Sequence, residues 1–395
     1  MMDHQRIFEE ELRNIRSNKL LRFMRTIEGM QEPVVRIGGR DVILMCSNNY
    51  LGLANHPALI TSAVSALKLY GVSAGASRLV SGTMTAHERL EHDIASFKKT
   101  EAALVFNSGY HANTGIIPAI AGTDTVILSD ALNHASIIDG TRLSKARVLI
   151  YRHGDMTMAE DMLRALDRKS SMRNPTKKLI VTDSVFSMDG DIAPLEELVA
   201  IAERYNALIM IDEAHATGIL GKNGSGAAEM LGVSSRIPIQ MGTLGKALGS
   251  FGAYAAGSRP LIEFLVNTSR SFIFTTALPP AVCAASSQAI RLVRSRPGLR
   301  KRLQDNILFL RNGLRSIGYD IPLDPTPIIP VIIGDADLTM QMSALLFEHG
   351  VFVSGIRPPS VPQGTSRLRI TVTAAHTKKM LGQVLDAMKT VYHLL

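Results

Sequence analysis

Short apolar runs alternate with longer amphipathic segments through most of the chain. The apolar runs have the length of buried strands, and small or polar residues follow most of them. They cover residues 102–106, 125–130, 178–186, 207–215, 239–244 and 271–276. The segments between them have helical periodicity, as in Leu195–Tyr205. This alternation predicts α/β units around a mainly parallel sheet.

The two ends of the chain depart from this alternation. Phe8, Leu12 and Ile15 share a helical face, which predicts one amphipathic helix ending near Gly29. A β segment that turns at Gly38–Gly39 follows it, and a long basic helix begins after Pro297. We therefore expect three regions: an N-terminal helix and β segment, a large α/β domain, and a small α+β domain. Their predicted bounds are residues 1–55, 56–290 and 291–395.

The composition excludes several classes of protein. With 46% hydrophobic and 20% charged residues, the 395-residue chain is typical of globular proteins. Cys46 and Cys283 are too few for a disulfide scaffold or a cysteine-rich zinc site. The N-terminal segment carries charges throughout, and the uncharged run between Arg270 and Arg291 contains two prolines, which argues against a secretory signal and a membrane span. We expect a cytoplasmic protein that does not bind membranes.

The net charge of +8 suggests a polyanionic partner without identifying it. The basic residues are scattered, and no recognisable DNA- or RNA-binding motif accompanies them, so we expect no nucleic-acid partner. A phosphate-rich small molecule or an acidic carrier protein fits the charge equally well.

Polar residues follow the apolar runs where ligands bind in parallel α/β sheets, at the carboxyl ends of the strands. The turn at residues 107–111 contains glycine and precedes a helix, which suits a phosphate, and His134 follows the next run. Asp212 and His215 are spaced to address two atoms of one ring, although Asp212 also fits a helix cap. Lys246 lies between two glycines in an apolar stretch, where burial lowers a lysine pKa and favours Schiff-base chemistry.

Each of these signals has a plain structural explanation when taken alone, because such turns, histidines and loop lysines are common. Together they match the groups that hold pyridoxal phosphate: a phosphate cradle, a carboxylate for a ring nitrogen, a histidine and an imine-forming lysine. The sequence contains no HExxH zinc helix and no GxSxG nucleophile elbow, so we expect no metal site.

From about Leu21 to its end, the chain resembles the α-oxoamine synthases, which belong to the aminotransferase-like fold type I group of pyridoxal-phosphate enzymes. The matching segments, in order, are SNNYLGLANHP, GASRLVSGT, FNSGYHANTG, DALNHASIIDGTRLS, SVFSMDGD, IDEAHATG, GTLGKALG, FIFTTALPP and GIRPPSVPQGTSRLRITVTAAHT. The resemblance implies an α/β fold with a mainly parallel seven-stranded sheet, a smaller C-terminal α+β domain, and a homodimer with its active site at the subunit interface.

The resemblance also implies a role for each matching residue. Lys246 would bind the cofactor covalently, Asp212 would pair with the ring nitrogen, His215 would bond the phenolic oxygen, and His134 would stack on the ring. The remaining cofactor contacts implied are Ser184, the amides of Gly109 and Tyr110, Thr243, and Thr275 or Thr276 from a second subunit. The substrate contacts implied are Asn48 and Arg369 for the amino-acid carboxylate, Arg22 for the acyl substrate, with Arg16 and Arg25 close by in the same predicted helix, and Thr83.

Two segments, GASRLVSG and GIRPPSVPQGTSRLR, are most similar to family members that join L-alanine to pimeloyl-CoA or a pimeloyl-acyl-carrier protein in biotin synthesis. Thr83 departs from that pattern, because many of those members have Asn there and glycine-using members have Thr. A glycine-dependent acyltransferase that makes aminoketobutyrate or aminolevulinate is therefore an alternative. A non-catalytic regulatory subunit is a second one, against which the presence of Lys246, Asp212, His134 and His215 argues.

Overall fold

Helices and strands alternate through the middle of the chain in the computed structural model, which describes residues 4–18, 20–169 and 177–394. The strands are β1 (Val34–Ile37), β2 (Arg40–Leu44), β3 (Ala102–Phe106), β4 (Thr125–Asp130), β5 (Arg147–Tyr151), β6 (Lys177–Asp183), β7 (Leu208–Asp212), β8 (Ile239–Thr243), β9 (Ala253–Gly257), β10 (Ile328–Gly334), β11 (Val351–Phe352), β12 (Ser354–Ile356) and β13 (Ser366–Thr371). The helices are α1 (His4–Ser17), α2 (Pro57–Tyr70), α3 (Thr85–Lys98), α4 (Gly109–Ile120), α5 (Ala135–Leu143), α6 (Met156–Lys169), α7 (Leu195–Arg204), α8 (Ala227–Met230), α9 (Arg259–Thr268), α10 (Arg270–Ile273), α11 (Pro280–Ser295), α12 (Gly298–Ile317), α13 (Ala336–Glu348) and α14 (Lys378–Leu394).

A seven-stranded sheet occupies the centre of the fold, in the order β3-β9-β8-β7-β6-β4-β5. Strands β5, β4, β6, β7 and β8 are mutually parallel, and only β9 runs against its neighbours β3 and β8. The prediction of an α/β fold with a mainly parallel seven-stranded sheet is therefore confirmed. The carboxyl ends of β4, β6, β7 and β8 meet at one edge of the sheet.

Both faces of this sheet are covered by helices, which explains why its strands are apolar throughout. In β4, Val126 and Leu128 belong to one core cluster, and Ile127 between them belongs to the cluster on the opposite face. Alternate side chains of a strand point to opposite faces, so a strand buried on both sides needs a continuous apolar run. This is why the sequence predicts the first and last residues of β4 correctly.

The run at residues 271–276, which we predicted to be a strand, is not one. Residues Arg270–Ile273 form the short helix α10, in which Phe272 is buried against Phe106 while Phe274 beyond it is exposed. A short apolar run does not distinguish a strand from a helical turn when both are packed on one side.

Two smaller sheets lie outside the central one. Strands β1 and β2 form an antiparallel hairpin with β11 parallel to β2, and β10, β13 and β12 form the other sheet. The N-terminal helix ends at Ser17 rather than near Gly29, and its apolar residues Phe8 and Leu12 are exposed. The predicted bounds at residues 1–3 and 395 lie outside the described residues. In the part of the chain that is described, no helix has the length and apolar character needed to cross a membrane.

Candidate active site

A cavity of about 190 Å³ opens at the carboxyl edge of the central sheet. Loops after five strands meet there, so residues that are far apart in the sequence line one space. The lining residues are Gly109, Tyr110, His134, Ser136, Asp183, Asp212, Ala214, His215, Thr243 and Lys246. Seven of the residues singled out in the sequence are among them, and the structure brings these seven together.

Lys246 follows β8, and its side chain lies beside His215. Lys246 Nζ is 2.7 Å from His215 Nε2. Burial lowers the pKa of Lys246 to about 8, although the carboxylates of Asp212 and Asp183 oppose that shift. Burial, followed by the charge of Lys246, also holds the pKa of His215 well below its usual value. The site therefore contains a neutral imidazole next to a lysine that releases its proton more readily than an exposed one.

Asp212 is the last residue of β7 and is held by two donors. Its Oδ2 accepts from Asn113 Nδ2 at 2.8 Å, and its Oδ1 accepts from the Ala214 amide at 2.8 Å. The second contact is the local capping bond that the sequence allowed. The first fixes the carboxylate towards the cavity, and Asn113, which sequence reasoning missed, supplies it from α4.

His134 is oriented by two hydrogen bonds, one from its backbone amide and one at its ring. Its amide donates to Asp183 Oδ2 at 2.7 Å, and its ring Nδ1 lies 2.7 Å from Ser136 Oγ at the start of α5. Asp183 is paired in register with Asp212, and burial, followed by the charge of Asp212, raises its pKa well above the usual value. The imidazole of His134 is thus fixed as one wall of the cavity.

The first turn of α4 forms the opposite end of the cavity. Ser108 Oγ accepts from the His111 amide at 3.2 Å, while Gly109 and Tyr110 line the cavity. The first amides of a helix have no partner within it and carry partial positive charge, so this end suits an anion. Thr243 Oγ lies at the same cavity, where it donates to the Gly252 carbonyl at 2.9 Å.

A second group of polar residues extends from His215 towards the small C-terminal sheet. The hydroxyl of Tyr50 is 2.7 Å from His215 Nδ1 and 3.0 Å from Asn48 Oδ1. Both terminal nitrogens of Arg369 face the same Asn48 oxygen at 3.4 Å. Arg369 Nε donates to the Ser187 carbonyl at 2.6 Å, which fixes the plane of the guanidinium. Sequence reasoning found Asn48 and Arg369 but missed Tyr50, although it lies in the matching segment SNNYLGL.

The other predicted site residues do not line the cavity. The hydroxyl of Ser184 donates to the Asp212 carbonyl at 3.0 Å, beneath the cavity. Thr275 and the carbonyl of Thr276 accept from Asn107 at 3.0 and 2.9 Å. The hydroxyl of Thr83 bonds Arg78, by donating to its carbonyl and accepting from its Nε.

Arg22 lines a separate cavity of about 420 Å³ between the segment after α1 and the C-terminal elements. Arg25 and Arg357 line it as well. Arg25 stacks on Phe347 and Phe352, and Arg357 donates to the Leu21 carbonyl at 3.0 Å. Arg22 has a long contact of 3.5 Å with Ser360 Oγ, so it is the least constrained of the three. Arg16 lies in α1, away from the lining of this cavity.

A buried ion pair fixes the residue that follows Asp212. Lys98 donates to Glu213, the residue after Asp212, and to the Ser225 carbonyl at 2.6 Å. Glu213 also accepts from the Ala228 amide at 2.8 Å, so both charges are bonded in a dry environment. Glu213 lies in the matching segment IDEAHATG, but its partner lies on α3 and gave no signal in the sequence.

Comparisons with known proteins show which family the chain resembles in sequence and in fold. A family model described as aminotransferase class I and II matches residues 40–388. A protein of Geotalea daltonii named 8-amino-7-oxononanoate synthase is 53% identical over 386 residues, 97% of each chain. The structure of SPT with its PLP internal aldimine has a TM-score of 0.93 at 32% identity and covers 99% of each chain. The 8-amino-7-oxononanoate synthase of Francisella tularensis has a TM-score of 0.76 at 29% identity, over 90% of this chain and 99% of that one.

Proposed function

This chain belongs to the aminotransferase class I and II family, and on that basis we propose that it condenses L-alanine with pimeloyl-CoA or a pimeloyl-acyl-carrier protein. The products are 8-amino-7-oxononanoate, CO2 and the free thiol. The observation that carries the proposal is the cavity that contains Lys246, Asp212 and His215, from which hydrogen bonds through Tyr50 lead to the Asn48–Arg369 pair. The names of the relatives, about half identical over nearly the whole chain, support the choice of substrates.

The residues around the cavity fit pyridoxal phosphate. A buried carboxylate at Asp212 suits a protonated ring nitrogen, the first amides of α4 with Thr243 suit the phosphate, and Lys246 suits the carbonyl carbon. His134 would lie against the ring and His215 near its phenolic oxygen. When bound, the cofactor supplies an electron sink for the carbon that loses its proton and carboxylate.

The protein's own groups supply proton transfer and electrostatic support. With a pKa of about 8, roughly a tenth of Lys246 is neutral at pH 7, so its Nζ can take the Cα proton of alanine and return one later. Asp212, held by Asn113 and the Ala214 amide, would place its carboxylate beside the ring nitrogen. His215, neutral and buried, is available as a hydrogen-bonding partner rather than as a charge.

The carboxylate of the amino acid would bind at Arg369. The two terminal nitrogens of this side chain share one acceptor at 3.4 Å, a long contact that a carboxylate with two oxygens can replace with shorter, bidentate bonds. Asn48 would then contribute its amide group. We assign Arg22 to the acyl substrate, because it is the least constrained of the three arginines that line its cavity.

We propose that the protein is a homodimer and that Thr275 or Thr276 reaches the phosphate of the other copy. Two exposed apolar side chains lie near these threonines in the chain or across the Ser77–Thr276 bridge. Phe274, which precedes Thr275, is 71% exposed, and Val80, three residues after Ser77, is 80% exposed. Exposed apolar side chains grouped in this way are typical of an interface. The cytoplasmic location stays a prediction.

The proposed function is tested by thiol release from the purified, cofactor-loaded protein. L-Alanine, glycine and L-serine are each combined with pimeloyl-, acetyl- and succinyl-CoA. We expect release with alanine and pimeloyl-CoA. Release only with glycine and a short acyl-CoA would contradict the proposal. Silence with every CoA ester and activity with the pimeloyl-carrier protein would identify the carrier as the acyl donor, and silence with both would support a non-catalytic role.

The glycine-dependent alternative rests on Thr83. Its hydroxyl is bound to Arg78, outside the cavity that contains Lys246. We therefore expect Thr83→Asn to leave the choice between alanine and glycine unchanged, whereas loss of a contact with a methyl group costs about tenfold or more. A variant that changes this choice tenfold or more would return Thr83 to the substrate pocket.

A further inference from the structure

Tyr50 joins the two ends of the active site through its hydroxyl group. The side chain is fully buried, and its oxygen lies between His215 Nδ1 and Asn48 Oδ1. His215 Nε2 faces Lys246 Nζ, and Asn48 Oδ1 faces Arg369. A continuous chain of hydrogen bonds therefore runs from the lysine to the arginine.

The positions of the protons in this chain follow from Arg369. A guanidinium can only donate, so the Asn48 atom that faces it is the amide oxygen. The hydroxyl of Tyr50 meets the same oxygen and must donate to it. A phenol has one proton, so the Tyr50 oxygen accepts from His215 Nδ1. A neutral imidazole then has no proton at Nε2, which becomes the acceptor for Lys246.

Burial and the nearby charges keep Tyr50 and His215, the two titratable residues within this hydrogen-bonded chain, neutral. Burial raises the pKa of Tyr50, with Arg369 opposing the shift, so the phenol keeps its proton. Burial lowers the pKa of His215, and Lys246, Arg369 and His134 lower it further. The Tyr50 hydroxyl and the His215 ring thus carry one proton each. If either proton moves to a different hydrogen bond, the other residue must change the group to which it donates.

We propose that Tyr50 is a positioning residue that fixes the tautomer of His215 and thereby links the Asn48–Arg369 pair to Lys246. The link rests on the proposed function only in assigning the amino-acid carboxylate to Arg369 and the cofactor to Lys246. When a ligand changes what Asn48 Oδ1 accepts, the proton of Tyr50 passes that change to His215. None of the matching segments pointed to this role for Tyr50.

The tautomer is tested directly by 15N chemical shifts of histidine side chains in the cofactor-free full-length protein. We expect His215 in the wild type to carry its proton at Nδ1. At about pH 9, where most of Lys246 is neutral and can accept from His215 Nε2, Asn48→Ala removes the acceptor of the Tyr50 proton, so the phenol turns to Nδ1 and the His215 proton moves to Nε2. Tyr50→Phe removes the partner at Nδ1 and leaves a mixture of the two forms. Identical His215 signals in all three proteins would overturn the proposal.

The link between the two ends is tested in the cofactor-loaded protein by following its absorbance during titration with L-alanine and, separately, with glycine. Tyr50→Phe keeps the volume of the side chain, so a packing role predicts no effect. The proposed role predicts a dissociation constant raised about threefold to tenfold for the amino acid that the wild type binds. If Tyr50→Phe alters the tautomer of His215 but leaves this dissociation constant unchanged, Tyr50 does not link the Asn48–Arg369 pair to Lys246.

Tyr254→Phe is the matched control for these measurements. Tyr254 is equally buried, and its replacement also removes a buried hydroxyl, which is 2.8 Å from Thr217 Oγ. It should leave the His215 signals and both titrations unchanged. Because neither measurement uses an acyl thioester, a wrong assignment of the acyl substrate would not affect the outcome.

Discussion

The pairing of Lys246 with a neutral His215 is the central feature of the site at the scale of single residues. An exposed lysine is almost fully protonated at neutral pH, whereas burial brings Lys246 to a pKa of about 8. The nearby carboxylates of Asp212 and Asp183 oppose that shift and keep it moderate. The lysine can therefore both bind a carbonyl carbon and transfer a proton without leaving the cavity.

Replacing Lys246 with alanine should abolish both functions of this side chain. We expect Lys246→Ala to lower turnover at least about a thousandfold, because no other group in the cavity lies at the same place to move the proton. Mass spectrometry after borohydride reduction should find no cofactor attached. Lys379→Ala, an exposed lysine on α14, should behave as wild type. Turnover near the wild-type level in Lys246→Ala would disprove the assignment of this lysine.

At the scale of elements, His153 joins the ends of three neighbouring segments of the sheet. Its Nδ1 is 2.9 Å from Asp130 at the end of β4, and its Nε2 is 2.9 Å from Asp191 in the turn after β6. Its ring also packs edge-on against Phe186, at 4.4 Å between centroids. The tip of the same turn supplies the Ser187 carbonyl that orients Arg369. His153 thus stabilises the turn that positions Arg369, to which we assign the amino-acid carboxylate.

This arrangement predicts a stability that depends on pH in the alkaline range. The hydrogen bonds to Asp130, then those to Asp191, raise the pKa of His153 to about 10. A raised pKa gives stabilisation that is complete below the unfolded value, near 6.5, and is lost as the pH rises through about 10. We expect His153→Gln to cost on the order of 2 to 4 kcal/mol at pH 6 and much less above pH 10.5.

The measurement is urea unfolding of both proteins at several pH values between 6 and 10.5. The difference between wild type and His153→Gln isolates this histidine from other groups that titrate in the same range. His349→Gln, an exposed position at the end of α13, is the control and should follow the wild type. A difference that stays constant with pH would show that His153 is not charged in the folded protein.

The elements that could be predicted from the sequence are those whose burial is uniform. Strand β4 is apolar throughout because both faces are covered, and its bounds agree with the prediction. Strand β9 consists mostly of alanine and glycine and so shows no strongly apolar run. Strand β5 has a short apolar run, Val148–Tyr151, but it lies partly exposed at the sheet edge and was not predicted. The helix α10 was mistaken for a strand because four residues are too few to show a period.

The site residues also divide into those that a local sequence pattern marks and those that it does not. Lys246, Asp212, His215 and His134 come directly after or at the ends of apolar runs, so their position in the sequence already indicated the sheet edge. Tyr50 and Asn113 act through partners 165 and 99 residues away, and no local pattern identifies such pairs. His153 and Lys98 are of the same kind, since both depend on contacts formed only by the folded chain.

At the scale of the whole molecule, the apolar surface beside Thr276 predicts that two copies associate through it. We expect a dimer in sedimentation velocity, and Val80→Asp should shift it towards monomer because a charge there would be buried without a partner. Leu308→Asp, on the exposed side of α12, is the control and should leave the dimer intact. A wild-type protein that sediments as a monomer at micromolar concentration would contradict this prediction.

The net charge of +8 has a consequence for the acyl donor. A carrier protein rich in phosphate and acidic groups would be attracted at low ionic strength, and this attraction is screened as the Debye length falls from about 10 Å at 0.1 M salt to about 3 Å at 1 M. We expect the apparent KM for a pimeloyl-carrier protein to rise several-fold over that range. The KM for alanine, a small zwitterion, is the internal control. Equal salt dependence of the two constants would argue against charge attraction.

The pairing of Asn48 with Arg369 also sets an order of events during synthesis of the chain. The two residues are 321 positions apart, so a ribosome that adds 5 to 20 residues per second needs roughly 15 to 65 seconds to travel from one to the other. Every residue that lines the lysine-containing cavity emerges within that interval, before the arginine exists. A nascent chain thus contains every residue proposed to hold the cofactor first, and the arginine proposed to hold the amino acid is added only with its last strand.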